Sequence, residues 1–304
     1  MTSTVATKPL VQRHRRVRPA VPAFFRRIGP AGVFFLYMGA TLVAPTGYLL
    51  WSSVTGGKGS LFTLELYIRV LTDSFFLRGF HNSIILSALS AVESTVAGTL
   101  LAAAFTYTVK ASSRNVLLIV TNVAGHLGGV NLAFAFVALL GTNGMLTIIL
   151  REVFGVGLYP EFSIVSLTGL NLVYFYFLTP FVILVLHPAF RGIRHQWIEA
   201  ACTLGATRVQ FWWYVGIPVL WPSILAVFIL TFANAFGTYS TAMALTVGRV
   251  NLIPLQIGFL FSEAAFDTEL ADALSILMII VTTACVVAYR LFLRRTARWI
   301  GQKR

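Results

Sequence analysis

The run EAACTLGATRVQFWWYVGIP, residues 199–218, decides how this chain is read. It lies in a short basic loop between two long apolar segments. With the residues before it, it reads as helix, turn, helix over residues 191–216. Trp197, Ile198, Ala201 and Leu204 recur at helical spacing and define one apolar face. Gly205 is suited to the left-handed conformation that ends a helix. Thr207 starts the next helix, and Gln210 three residues on completes a capping-box pattern. Pro218 opens the following apolar segment, where its missing N–H costs little. Ala200, Ala201 and Gly205 leave a low surface that another protein can approach closely. Glu199 near the helix start is favoured there by the macrodipole.

Outward from this loop the chain is apolar. It is 57% hydrophobic and 11% charged, against about 25% charged residues in soluble domains. Such a chain cannot hide its surface from water, so its solvent is lipid. Six segments reach the roughly 20 residues a spanning helix needs: residues 31–54, 82–109, 116–140, 163–190, 217–239 and 273–292. Lipid offers no partner for open backbone, so an all-α integral membrane protein is expected.

The cations orient the spans. Residues 1–30, the loop after the second span, the loop holding Glu199 and the C-terminal tail together carry 18 of the 23 Lys and Arg. The opposite side carries five, with eight of the ten acids. By the positive-inside rule both termini and the Glu199 loop face the cytoplasm. Residues 1–30 are basic and contain Pro9, Pro19, Pro22 and Pro30; they read as a disordered cytoplasmic arm that orients the chain and touches anionic lipid. Nucleic-acid binding is the other reading of so basic an arm, but no interleaved aromatics favour it. Residues 31–295 form the spanning domain, and residues 296–304 a basic cytoplasmic tail. The first span is too long for a signal-peptide core and is expected to stay as an anchor.

Glu199-Ala200-Ala201, Gly205 six residues after Glu199, and Ile217-Pro218 with the proline nineteen after it resemble the EAA signature of membrane subunits of binding-protein-dependent ABC importers. The resemblance covers roughly residues 80–295, with Ile217 where Leu is common. It implies a six-helix type I importer transmembrane domain. It implies as well that Glu199, Ala200, Ala201, Gly205, Ile217 and Pro218 form the loop received by a groove in a cytoplasmic ATPase. The remaining partners it implies are a second permease subunit (identical or homologous), an ATPase dimer that binds ATP and Mg, an extracytoplasmic substrate-binding protein, and the lipid bilayer of a bacterial inner membrane. This chain has no phosphate-binding loop, and it is expected to hold no cofactor, metal or catalytic group and to bind no nucleic acid. The text after the signature looks most like the spermidine/putrescine, ferric-iron and phosphonate branch; sugar permeases are the runner-up. A secondary transporter is the alternative class, but its inverted repeats and broken helices are not evident.

Polar groups at lipid depth usually face the bundle interior or a cavity. Glu93 is the one acid deep in a span. It reads either as a cation contact on the pathway or as an interior hydrogen-bonded acid, partnered by His126. His126 and Asn131 in the third span, and Asn234, Thr238 and Tyr239 at the end of the fifth, are candidate pathway groups; helix–helix hydrogen bonding is the alternative. Two outer segments, residues 251–272 with Glu263, Asp267, Glu269 and Asp272, and residues 141–162, are candidates for contact with the binding protein or for interfacial helices.

Overall fold

The computed structural model describes residues 23–55, 64–263, 265 and 267–301. The first 22 residues of the expected arm and the last three of the tail lie outside them. Residues 23–30 continue as the opening turns of the first helix instead of belonging to an arm. The chain divides into two units, Met1–Tyr48 and Leu49–Arg304. The first contains most of α1 (Ala23–Thr55). The second contains everything described below.

Among the described residues all regular structure is helical. The elements are α2 (Glu65–Thr72), α3 (Ser74–Tyr107), α4 (Ala111–His126), α5 (Gly129–Leu140), α6 (Met145–Val153), α7 (Leu167–Arg191), α8 (His195–Thr203), α9 (Arg208–Phe211), a π-helical turn Trp212–Gly216, α10 (Ile217–Gly237), α11 (Ser240–Thr246), α12 (Ile253–Leu260) and α13 (Thr268–Gly301). Among the described residues six stretches are long and apolar enough to cross a membrane: Phe34–Thr55, Ser74–Tyr107, Gly129–Val153, Leu167–Arg191, Arg208–Gly237 and Thr268–Leu291.

Helix α3 packs along α7 and α10 and is the spine of the second unit. Most of its buried residues are small, Ser83, Ser87, Ser90, Ala91, Ser94 and Gly98 among them. Small residues let membrane helices approach closely, which is how they attract without a hydrophobic effect. At Gly98 a β-carbon would collide with the side chain of Val182, so the α3–α7 approach requires glycine there. One apolar cluster joins Leu132 and Phe136 of α5, Tyr174 and Leu178 of α7 and Leu252 just before α12. A second lies at the Glu199-loop end, around Leu186, Phe190 and Phe211. A third joins Val70 of α2, Phe76 of α3, Ile253 of α12 and Leu274 of α13.

One expected feature differs in the structure. The third span, read as continuous over residues 116–140, is two helices that part at Leu127 and Gly128. Gly129 has a φ of +70°, and consecutive glycines are the weakest helix formers short of proline. The segment over residues 251–272 is helical at its centre and at its end. Its core is α12, in which Ile253, Pro254, Leu255 and Gln256 are all buried. Asp267 caps the start of α13 by accepting from the N–H of Leu270 at 3.2 Å. Asp272, grouped with the outer acids from sequence, is 3% exposed in the second turn of that helix. Of the 141–162 segment, residues 145–153 are helix α6.

Candidate functional site

The hairpin begins where α7 ends. The N–H of Gly192 bonds to carbonyls of the last turn, and α8 starts after Arg194. Leu204 is the C-cap of α8. The N–H of Ala206 then bonds to the carbonyl of Ala201 at 3.0 Å, and that of Gly205 to the carbonyl of Cys202 at 2.9 Å. This pair of bonds is the Schellman motif, which needs a left-handed residue between them. Gly205 supplies it with φ +82°, and nothing lies within 4 Å of a β-carbon built there. Glycine has the left-handed conformation that the sequence suggested, and the open space beside it leaves room for the close approach of a partner, the other role read for it. Thr207 caps the next helix with the expected box: its Oγ1 accepts from the N–H of Gln210 at 3.2 Å, and Gln210 Oε1 accepts from the N–H of Thr207 at 2.8 Å.

The second helix of the hairpin is not a separate short element. It runs from Arg208 through the π turn into α10, a helix of 30 residues ending at Gly237. The N–H of Ile217 reaches back to the carbonyl of Trp212. Pro218, next in line, has no N–H to give. A widened turn before it accommodates the proline ring, which would clash with the preceding carbonyl in regular α geometry.

The hairpin is fixed to the bundle by aromatic rings. Trp212 lies 5.3 Å from Tyr107 and 5.8 Å from Phe211, and the Tyr107 hydroxyl donates to the carbonyl of Phe190 at 2.9 Å. Ile198 and Ala201 pack inward on this cluster. The expected single apolar face of α8 is therefore divided. Trp197 is 42% exposed and Leu204 88%, while Ala200 is also exposed. Glu199 stands in the second turn, beyond reach of the helix start, and pairs with His195 one turn earlier, Nδ1 to Oε1 at 2.9 Å. Ile217 and Pro218 are exposed at the opening of α10.

The candidate pathway residues fall into two places. Glu93 is half-buried, and its Oε2 accepts from Asn171 Nδ2 at 2.8 Å; Asn171 Oδ1 in turn accepts from Ser90 Oγ at 2.8 Å. Its partner is therefore Asn171 of α7, not His126. His126 is exposed at the last turn of α4, and Asn131 is exposed in the first turn of α5. The other place is the break after α10. Asn234 is exposed, and its carbonyl accepts from Thr238 Oγ1 at 2.7 Å. The Thr238 carbonyl accepts from the Tyr174 hydroxyl at 3.1 Å. The ring of the exposed Tyr239 lies against Gly258 of α12, and Ser240 stands next to Gly129 at the start of α5. The breaks before α5 and before α11 thus meet. Ser83, Ser87, Tyr174 and Thr238 line a narrow crevice beneath them.

Sequence reasoning missed the polar clamp on α12. Asn82 Nδ2 donates to the carbonyl of Asn251 at 3.0 Å, and the N–H of Ile253 donates to Ser83 Oγ at 2.9 Å. Asn251 Nδ2 and Gln256 Nε2 both donate to the carbonyl of Phe75, at 2.9 and 3.0 Å. The signal was available in part: Ser83, Ser87, Ser90 and Ser94 recur at helical spacing. Among the described residues no cluster of His, Cys, Asp and Glu could hold a metal ion.

No protein-family model matches the chain. Over 253 residues it is 25% identical to the putative ferric transport system permease protein FbpB 1 of Haemophilus influenzae, covering 81% of this chain and 37% of that protein. It is 25% identical over 272 residues to the sulfate transport system permease protein CysW of Synechococcus elongatus, covering 88% and 89%. It is 23% identical over 296 residues to the putative 2-aminoethylphosphonate transport system permease protein PhnU of Salmonella typhi, covering 95% and 96%. The chain spans about a third of the length of the ferric permeases it matches. Among solved structures, a bacterial ABC transporter that imports the acidic polysaccharide alginate superposes with a TM-score of 0.71 at 17% identity, covering 90% of this chain and 95% of that one. The relatives are permease subunits of transport systems, and the fold is that of ABC importer transmembrane domains.

Proposed function

We propose that this chain is a permease subunit of an ABC importer in a bacterial inner membrane, with the basic ends of its spans and both termini in the cytoplasm. The observation that carries the reading is the hairpin of α8 and α9. It is closed by the chain's own hydrogen bonds, seated on the aromatic cluster, and leaves Glu199, Ala200 and Leu204 facing outward. Its fit with the EAA signature, and relatives that are permeases, support an ATPase as what meets that surface. ATP closure of an ATPase dimer would pull the hairpin, and the long helix would carry the movement to the Thr238 break. That is a shift between two states which the nucleotide binds unequally. A second permease subunit would cover the exposed polar groups Asn131, Asn234 and Tyr239 and share the pathway with them. An external binding protein would deliver the cargo, as a periplasmic protein does in the alginate transporter.

For the cargo we favour a small oxyanion or a chelated ferric ion, the chemistry in the names of the sulfate, phosphonate and ferric relatives. None of these relatives supports the polyamine expectation. It is weakened further because the Glu93 carboxylate is already engaged by Asn171. The alginate neighbour shares the fold alone and does not favour a sugar.

The exposed Cys202 of α8 provides the test. The chain is reconstituted with its ATPase and binding protein, with Cys285 replaced by Ala. A maleimide cross-linker on Cys202 should capture the ATPase and abolish ATP-driven uptake. Cross-linking that never reaches a nucleotide-hydrolysing subunit, with uptake intact, overturns the reading.

A further inference from the structure

We propose that the basic end of the bundle holds the phosphate of an anionic phospholipid between α4 and α7, with Arg114 and Arg191 as its cationic ligands. The proposal rests on the chain spanning a membrane and not on what it transports.

Arg114 lies in the first turn of α4 and is half-buried; Arg191 is the last residue of α7 and is exposed. The two helices pack against each other. A β-carbon on Gly125 of α4 would meet Pro180 and Leu184 of α7, while Leu118, nearer the start of α4, packs in the cluster of Leu186 and Phe190, so the start of α4 lies beside the end of α7. Two arginines from different helices therefore stand at the same end of the packed pair. No carboxylate answers them. Among the described residues the ion pairs are Arg69–Asp267, Arg151–Glu152 and His195–Glu199, and none includes Arg114 or Arg191. The start of α4 adds to the excess. Its N-cap is Lys110, it has no side-chain cap, and its first turn contains no acid. Like charges gathered without a counter-ion cost free energy, most of all at the edge of a low-dielectric slab. An anion there relieves that cost, and guanidinium groups match phosphate in two-toothed geometry.

The surroundings point to a lipid as the source. This end of the bundle exposes Trp213 and Tyr214, 67% and 80%, side-chain types that collect at the headgroup level. Directly beyond Arg114, Val116, Ile119, Val120 and Val123 form an exposed stripe along α4, each 59% or more accessible. A phosphate at the arginines thus has an apolar track below it for acyl chains. Basic pockets between spanning helices hold anionic headgroups in this manner.

The experiment uses the whole chain in nanodiscs of phosphatidylcholine containing a minor fraction of phosphatidylglycerol, read by native mass spectrometry. Wild type should retain phosphatidylglycerol several-fold above its share of the bilayer. Arg114→Gln with Arg191→Gln should lose the enrichment, and Arg78→Gln with Arg249→Gln, at the opposite end, should keep it. A photo-reactive phosphatidylglycerol on wild type should label peptides spanning residues 110–123 or 187–194, which decides the matter if the double variant fails to insert. Equal retention by both variants, or labelling only elsewhere, overturns the proposal. Displacement of the lipid by millimolar inorganic phosphate, with no effect of acyl chains, also overturns it and assigns a free anion. Labelling of these peptides only when the ATPase is absent would show a protein surface instead, and likewise counts against it.

Discussion

The hairpin at the basic end and the segment from Thr238 to Asp272 at the other end are both irregular pieces between spanning helices, yet they are held in opposite ways. In the hairpin every defining bond is local. Ala206 to Ala201, Gly205 to Cys202, Thr207 with Gln210 and His195 with Glu199 all lie within five residues. In the other segment the bonds cross the sequence: Asn251 and Gln256 reach Phe75 over 176 and 181 residues, and Ile253 reaches Ser83 over 170. A local motif can be rebuilt each time it is pulled apart. A long-range clamp has to find its partner again across the bundle. The first suits an element that is pushed from outside, and the second suits one that fixes where helices end.

This contrast can be broken by substitution, and the largest effect belongs to the packing that supports the long-range end. Gly98→Val drives two methyl groups into Val182, and overpacking of this kind costs about 1–3 kcal/mol or more. Denaturation in SDS should show the loss, with reduced yield of inserted protein. Next comes Gln256→Ala. Gln256 is 4% exposed, and its removal takes one of two side-chain donors from the carbonyl of Phe75 and leaves a cavity where the side chain packed, a loss of about 1–3 kcal/mol together. Hydrogen exchange should rise in α12 and leave the hairpin amides unchanged; equal loosening of both would erase the distinction drawn here.

At the hairpin the effects on stability are smaller and those on coupling larger. Gly205→Ala places a β-carbon in the left-handed region at about 1–2 kcal/mol, and Gly205→Asn, which tolerates that region, should cost less. If the turn acts by its conformation, ATP-driven uptake should follow the order Gly, Asn, Ala, Val. Asn transporting worse than the smaller Ala would show that size against a partner matters instead. The smallest effect is that of His195→Ala. The pair with Glu199 is exposed, 80% and 66%, and exposed pairs contribute about 0.3–0.5 kcal/mol. Thermal stability should hardly move.

Legibility in the sequence follows the same division. Residues 195–211 announced their helix, their left-handed stop and their capping box, because each cue involves neighbours a few positions apart. Apolar length announced the spans. The break at Leu127 was not legible: both flanks are apolar, and only Gly128-Gly129 marks it. Residues 251–272 hid their inward polar groups, because a polar side chain in a sequence suggests water, whereas Gln256 and Asp272 are buried. The partner of Glu93 lay 78 residues away on α7, a distance no periodicity spans. His126, the partner considered from sequence, is exposed at the end of α4.

A helix unbroken from Arg208 to Gly237 is a strut about 45 Å long at 1.5 Å per residue. Tilting such a strut by about 5° around its inner end sweeps the outer end through about 4 Å, enough to open or shut the passage of a small ion. Under the proposed coupling, the five-residue π turn near its foot would be the compliant joint of this lever, where surplus backbone lets the shaft swivel. Leverage is therefore built into a single stretch of chain, and no separate linkage has to be assembled between the side that is pushed and the side that yields.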